Sequence, residues 1–77
     1  MNKQRRQDLS EVIDQLSELK ERIESLCEEE QEAFDNLPES LQDSDRGSAM
    51  CDNVSDMEDA AGELDDIIGS LQDIVER

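Results

Sequence analysis

The sequence predicts an all-α protein: an antiparallel two-helix hairpin that associates as a dimeric four-helix bundle. Three observations point there. Apolar residues recur every seven positions in two long stretches. The segment between them, Phe34 to Met50, holds the only proline (Pro38), the only aromatic (Phe34) and one of the three glycines (Gly47). The repeating apolar face is three rows wide, so a single partner helix leaves part of it uncovered.

The expected layout is a basic tail over residues 1–7, a first helix over 8–34, a connector over 35–44 and a second helix over 45–76. In the first helix, Leu9, Leu16 and Ile23 form one row. Val12, Leu19, Leu26 and Ala33 form a second. Ile13, Cys27 and Phe34 form a third, flanking row that Lys20 interrupts. About 26 residues at 1.5 Å of rise make a rod of roughly 40 Å. Asp35-Asn36-Leu37-Pro38 ends this helix, because the residue before a proline is pushed out of the α region. Pro38 to Leu41 suits one short helical turn, with Leu37 and Leu41 closing the core beside Phe34.

Asp43 or Ser44 is placed to cap the second helix. Its rows are Met50, Met57, Leu64 and Leu71; Asn53, Ala60, Ile67 and Ile74; and Val54, Ala61, Ile68 and Val75. Leu9, Leu16, Leu19, Ile23, Leu26, Phe34, Met57, Leu64, Ile67, Leu71 and Ile74 are therefore the expected core and oligomer contacts. Gly62 and Gly69 lie seven apart on the outer face. They read either as tolerated substitutions or as a stripe where another backbone comes close.

Composition bounds the function. Twenty-three acidic residues face seven basic ones, for a net charge of -16. Lys3, Arg5 and Arg6 leave only four bases for the rest of the chain. Such a charge repels nucleic acid and anionic membranes and attracts basic surfaces, so neither direct nucleic-acid nor membrane binding is expected. No apolar run reaches the length of a signal or membrane-spanning segment, so a cytoplasmic setting with Cys27 and Cys51 as free thiols is expected.

With no histidine, Ser-His and Cys-His nucleophiles and the common zinc and di-iron sites are absent. Asp43 to Gly47 only approximates a calcium loop, its glycine falling one position early. Glu18-x-x-Glu21 or Glu29-x-x-Glu32 with Glu63-x-x-Asp66 resembles the acidic motifs of a MazG-like nucleotide pyrophosphohydrolase, though the gap between them is longer than that family's and no Lys or Arg lies near Glu63. These acids, however, fall on the outer face, where ligands to a bundle metal do not belong. No catalytic, cofactor or metal site is expected.

The run Glu28 to Met50 resembles a group of small acidic proteins from phages and mobile elements of Gram-positive bacteria. Ala33-Phe34-Asp35-Asn36-Leu37-Pro38-Glu39-Ser40-Leu41-Gln42, then Ser44, Arg46, Gly47, Ala49 and Met50, carry the resemblance, along with the basic start MNKQRR. It implies a phage or prophage origin and a cytosolic setting. It carries over no activity and no catalytic residue, and the chain departs from the group at Cys27, Cys51 and the glycines of the last helix.

What remains is the acidic face. Asp52, Asp56, Asp59, Glu63, Asp66 and Asp73 run along the second helix in steps that place neighbours about 5–6 Å apart, a spacing comparable to phosphates along one nucleic-acid strand. Glu18, Glu21, Glu28 and Glu32 add to them from the first helix. The expected function is non-catalytic: binding a basic site on a host or phage nucleic-acid-binding protein, by nucleic-acid mimicry. The alternatives are an assembly module acting through the connector or the glycine stripe, with the charge serving only solubility, and a nucleotide sponge built on Arg22 and Arg46.

Overall fold

The computed structural model describes residues 1–77 and is helical almost throughout. Helix α1 spans Lys3–Asp35, α2 spans Glu39–Gln42 and α3 spans Asp45–Glu76. There are no strands, and the molecule measures 59 × 14 × 12 Å. No helix is long and apolar enough to cross a membrane.

Residues 3–7, expected as a frayed tail, are instead the first turns of α1. The Asn2 side chain accepts a hydrogen bond from the Arg5 backbone N–H at 2.8 Å and caps the helix there. That satisfies a donor with no partner inside the helix, so the start moves five residues ahead of Asp8. At the other end, Gln42 Nε2 donates to the carbonyls of Phe34 and Leu37, both at 3.2 Å. One side chain thus folds α2 back over the end of α1. Ser44 caps α3: its Oγ accepts from Gly47 N–H at 3.4 Å and donates to the Leu41 carbonyl. Pro38 is the residue before α2 rather than its first position. Leu37 is half-buried, but Leu41, expected to close the core, is exposed.

α1 and α3 lie side by side and run in opposite directions. Lys20 meets Asp65, Cys27 meets Val54 and Glu30 meets Asn53, so numbers rise along one helix as they fall along the other. The third row is the centre of this seam. Ile13, Cys27, Val54, Ala61 and Ile68 are the buried apolar residues, and Gly47 is buried where α3 meets the connector. The first row is half-buried beside it. The second row lies largely outside: Val12, Leu19, Leu26 and Ile67 are 43–52% exposed.

Leu19, Leu26 and Ile67 therefore take no part in the core of the single chain, and the row expected to flank the seam occupies its middle. Size and charge explain the choice. Cys27 and Ala61 are small enough to let the two helices close at the middle of the third row. Facing the third row inward also brings Lys20 within reach of Asp65.

The glycines divide by environment. A Cβ at Gly47 would overlap the Gln42 carbonyl and come within 2.7 Å of the Leu41 carbonyl oxygen. At Gly62 and Gly69 a Cβ would meet nothing within 4 Å, so no backbone of this chain approaches that stripe. Gly47→Ala is expected to destabilise the protein by about 1–3 kcal/mol, as other overpacking substitutions do. Gly62→Ala and Gly69→Ala are expected to stabilise it by about 0.5–1 kcal/mol each through helix propensity. Urea denaturation followed by circular dichroism measures both signs.

Candidate interaction surfaces

Three surfaces follow from wrapping this sequence onto two helices. Residues three or four apart share a helical face, so each heptad row is a stripe running the length of its helix.

The first surface is the polar flank of the seam. Ser10, Ser17, Glu24 and Gln31 of α1 border the third row on the side away from the second row, as do Cys51, Glu58, Asp65 and Gln72 of α3. Because the helices are antiparallel, equivalent flanks lie on the same side of the pair. Lys20 crosses here. Its Nζ donates to Asp65 Oδ1 at 3.0 Å and stands 3.8 Å from Glu24. Hydrogen bonding to Asp65 is the main influence holding the Lys20 ammonium above its ordinary pKa, with desolvation opposing it. A shallow cleft of about 410 Å³ opens beside this ion pair, between Ser17, Glu24, Asp65 and Gln72.

Cys27 lies deeper in the same seam. Its Sγ donates to the Val54 carbonyl at 3.5 Å. Burial pushes its thiol pKa up, and the charges of Glu58 and Glu28 add to the effect. A raised pKa keeps the thiol protonated and unreactive. Cys51 is exposed, and both cysteines are free.

The second surface is the outer back of each helix. Asp52, Asp56, Asp59, Glu63, Asp66 and Asp73 are all exposed along α3, and Glu18, Glu21, Glu28 and Glu32 along α1. The ten residues form two bands, one on each helix, and Glu21, Glu28 and Glu32 of the α1 band also border the clefts along the polar flank. None of the ten has a basic partner: the ion pairs of the molecule both belong to Lys20. No group of acidic or thiol side chains, Glu18, Glu21, Glu63 and Asp66 included, converges as a metal site would require. Arg22 and Arg46, the cations of the nucleotide-sponge reading, are exposed and lie on different elements.

The third surface is the flank opposite Lys20. It carries the half-buried first rows and the exposed second rows of both helices, among them Val12, Leu19, Leu26, Ile67 and the half-buried Ile74. Asn53 Nδ2 donates to Glu30 Oε2 at 2.8 Å near its connector end. This face was missed as a separate surface in the heptad count, which gives the width of the apolar stripe but not the part of it that the partner helix takes.

No protein-family model matches the chain, and no curated protein or solved structure is significantly similar to it. The class defined by fold and surfaces together is an extended, acidic all-α helix pair with one apolar flank.

Two groups on the seam predict the alkaline limit of stability. Cys27 and Lys20 both have folded-state pKa values raised above their ordinary ones. Each contribution is fully present below the ordinary pKa and is lost as pH rises through the folded value. Thermal stability is expected to fall from about pH 9 upward, first through Cys27 and then through Lys20. Melting curves between pH 7 and 11 should show a shallower decline for Cys27→Ala at the start of that range and for Lys20→Met towards its end.

Proposed function

We propose that this chain is a helical hairpin, paired as a dimeric four-helix bundle, that acts as a non-catalytic binding protein of phage-related origin in the host cytoplasm. It engages a basic site on a nucleic-acid-binding protein by presenting carboxylates where phosphates would stand. The observation that carries this reading is the α3 band from Asp52 to Asp73, exposed along its length and free of basic partners. Like charges one turn apart cost a helix a few tenths of a kcal/mol per pair. A band kept in that state has stored repulsion, which a basic partner relieves on binding. Affinity of this kind is electrostatic, with fast association and steep salt dependence.

The α3 band is the stronger half of the proposed site. It steps by three or four residues from Asp52 to Asp66, with Asp73 two turns further on, whereas Glu18, Glu21, Glu28 and Glu32 belong to a second contact of the same kind on α1. In a bundle closed through the apolar flank, both bands stay on the outside.

An assembly role is favoured by one observation: Leu41 is exposed at the tip of the molecule, where an apolar side chain has no use to the chain alone. In that reading Leu37, Pro38 and Leu41 make the contact.

Capture from bacterial lysate on immobilised protein, eluted with a salt gradient and challenged with duplex DNA, tests the choice. Mimicry predicts one dominant nucleic-acid-binding protein, released by moderate salt and by competing DNA. It also predicts at least a tenfold loss of binding on combining Asp56→Asn, Asp59→Asn, Glu63→Gln and Asp66→Asn, with helicity unchanged. Binding that survives those four substitutions but is lost with Leu41→Ser would refute mimicry and support assembly through the connector.

A further inference from the structure

The apolar flank is the part of the molecule with no occupant. Six of 77 residues are buried and none of the side chains is fully so, which leaves the pair without a closed core. Val12, Leu19 and Leu26 from α1, with Ile67 and Ile74 from α3, make one band, because equivalent flanks of antiparallel helices share a side. The band runs about 21 Å from Val12 to Leu26, and the half-buried Leu9, Leu16, Ile23, Leu64 and Leu71 lie within the same flank.

The charge distribution says what covers it and in which orientation. One end of the pair carries Lys3, Arg5, Arg6 and Arg77, four of the seven bases, with no acid among residues 1–7 and Glu76 contributed by the end of α3. The connector end is the opposite: Glu28, Glu29, Glu30, Glu32 and Asp35 close α1, with Glu39, Asp43 and Asp45 following and Arg46 as the lone base among them. The chain thus carries both halves of a complementary pair at its two ends. A second copy satisfies both at once only when it lies with its connector at the basic end of the first.

We propose that the Val12–Leu19–Leu26–Ile67–Ile74 face binds a second copy of this chain with the two connectors at opposite ends of the bundle. This rests on the dimeric reading above and adds its face and its direction. A two-fold axis through the middle of the apolar band, near Leu19 and Ile67, sets the heights. It places Arg5 and Arg6 of one copy level with Glu30 and Gln31 of the other, within a turn of Glu28, Glu29 and Glu32. Both ends of the bundle are then neutralised in the same way. In the reverse orientation the two acidic ends coincide and the two basic ends coincide, and each repels itself. The opposed orientation also leaves the α3 acidic bands pointing outward on both copies.

Cys51 reports the orientation directly, since it is exposed and sits near the connector end of α3. In a Cys27→Ala background, a nitroxide on Cys51 and pulsed electron–electron resonance give the label-to-label distance, with sedimentation giving the oligomeric state. With connectors opposed, the two labels are about 30 residues of rise apart, or roughly 40–45 Å. With connectors together they stand at one height, separated only by the width of a bundle, under about 25 Å including the label arms. A dimer with the long distance supports the proposal. A dimer with the short distance overturns the orientation and leaves the dimeric reading standing. A monomer at 100 µM overturns both.

Two further variants identify the face and the end contacts. Leu19→Glu with Ile67→Glu is expected to weaken the dimer at least a hundredfold, whereas Ser17→Glu with Gln72→Glu, on the polar flank, changes it less than threefold. Equal effects from the two pairs would place the interface elsewhere. Arg5→Glu with Arg6→Glu is expected to weaken the dimer at low salt and to be rescued by Glu29→Lys with Glu32→Lys. No weakening, or no rescue, would remove the end-to-end charge pairing.

Discussion

Two helices laid side by side have no inside. Each can turn only a narrow stripe towards the other, and everything beyond it faces outward. Here the stripe is the third row, tightened by Cys27 and Ala61, and crossed by the Lys20–Asp65 pair at 3.0 Å. All else depends on that choice of stripe. It decides which leucines are left outside and which acids lie beside the seam. It also sets which flank stays polar.

Lys20 is the most constrained cation in the molecule. It occupies a position that would otherwise take an apolar side chain, and a lone polar residue there fixes register at some cost in stability. Sliding α3 by a turn along α1 would break its contact with Asp65 and leave Glu24, on its own helix, as the remaining carboxylate beside it. The apolar contacts alone would tolerate such a slip far better, since Ala61, Met57 and Val54 fill space without strong directional preference. Register therefore rests on one ion pair, on the Cys27–Val54 and Asn53–Glu30 hydrogen bonds, and on the short connector that ties the helices together.

The connector is fitted more closely than its length suggests. Gln42 satisfies two carbonyls from α1 and the turn after it, Ser44 caps α3, and Gly47 leaves room for the Gln42 carbonyl to approach. Two side chains and one missing Cβ thus fix where the chain reverses. Electrostatics works against the same compactness. Like charges line the backs of both helices with no ion pair to offset them, since Lys20 pairs only with Glu24 and Asp65 on the polar flank. A molecule this thin and this charged gains from covering its apolar flank, since burial there adds favourable free energy without bringing the acidic backs together.

Much of this was legible in the heptads. Period-seven apolar rows, the break at Pro38 and the Asp43-Ser44 pair before Asp45 specify two long helices, their joint and two candidate caps for the second, because all three are local properties of the chain; the structure selects Ser44. The start of α1 was not, since Asn2 caps from outside the apolar pattern and gives no periodic signal. Nor was the role of Gln42, whose partners are carbonyls eight and five residues back. Which of the three rows becomes the seam depends on the other helix, so Leu19, Leu26 and Ile67 look at least as internal in the sequence as Ile13 and Val54, whose row Lys20 interrupts. The sequence by itself determined the helices, the charge and the width of the apolar face. Only the tertiary structure decided how that face is divided, because the division depends on side-chain size and on one lysine meeting its carboxylate across the seam.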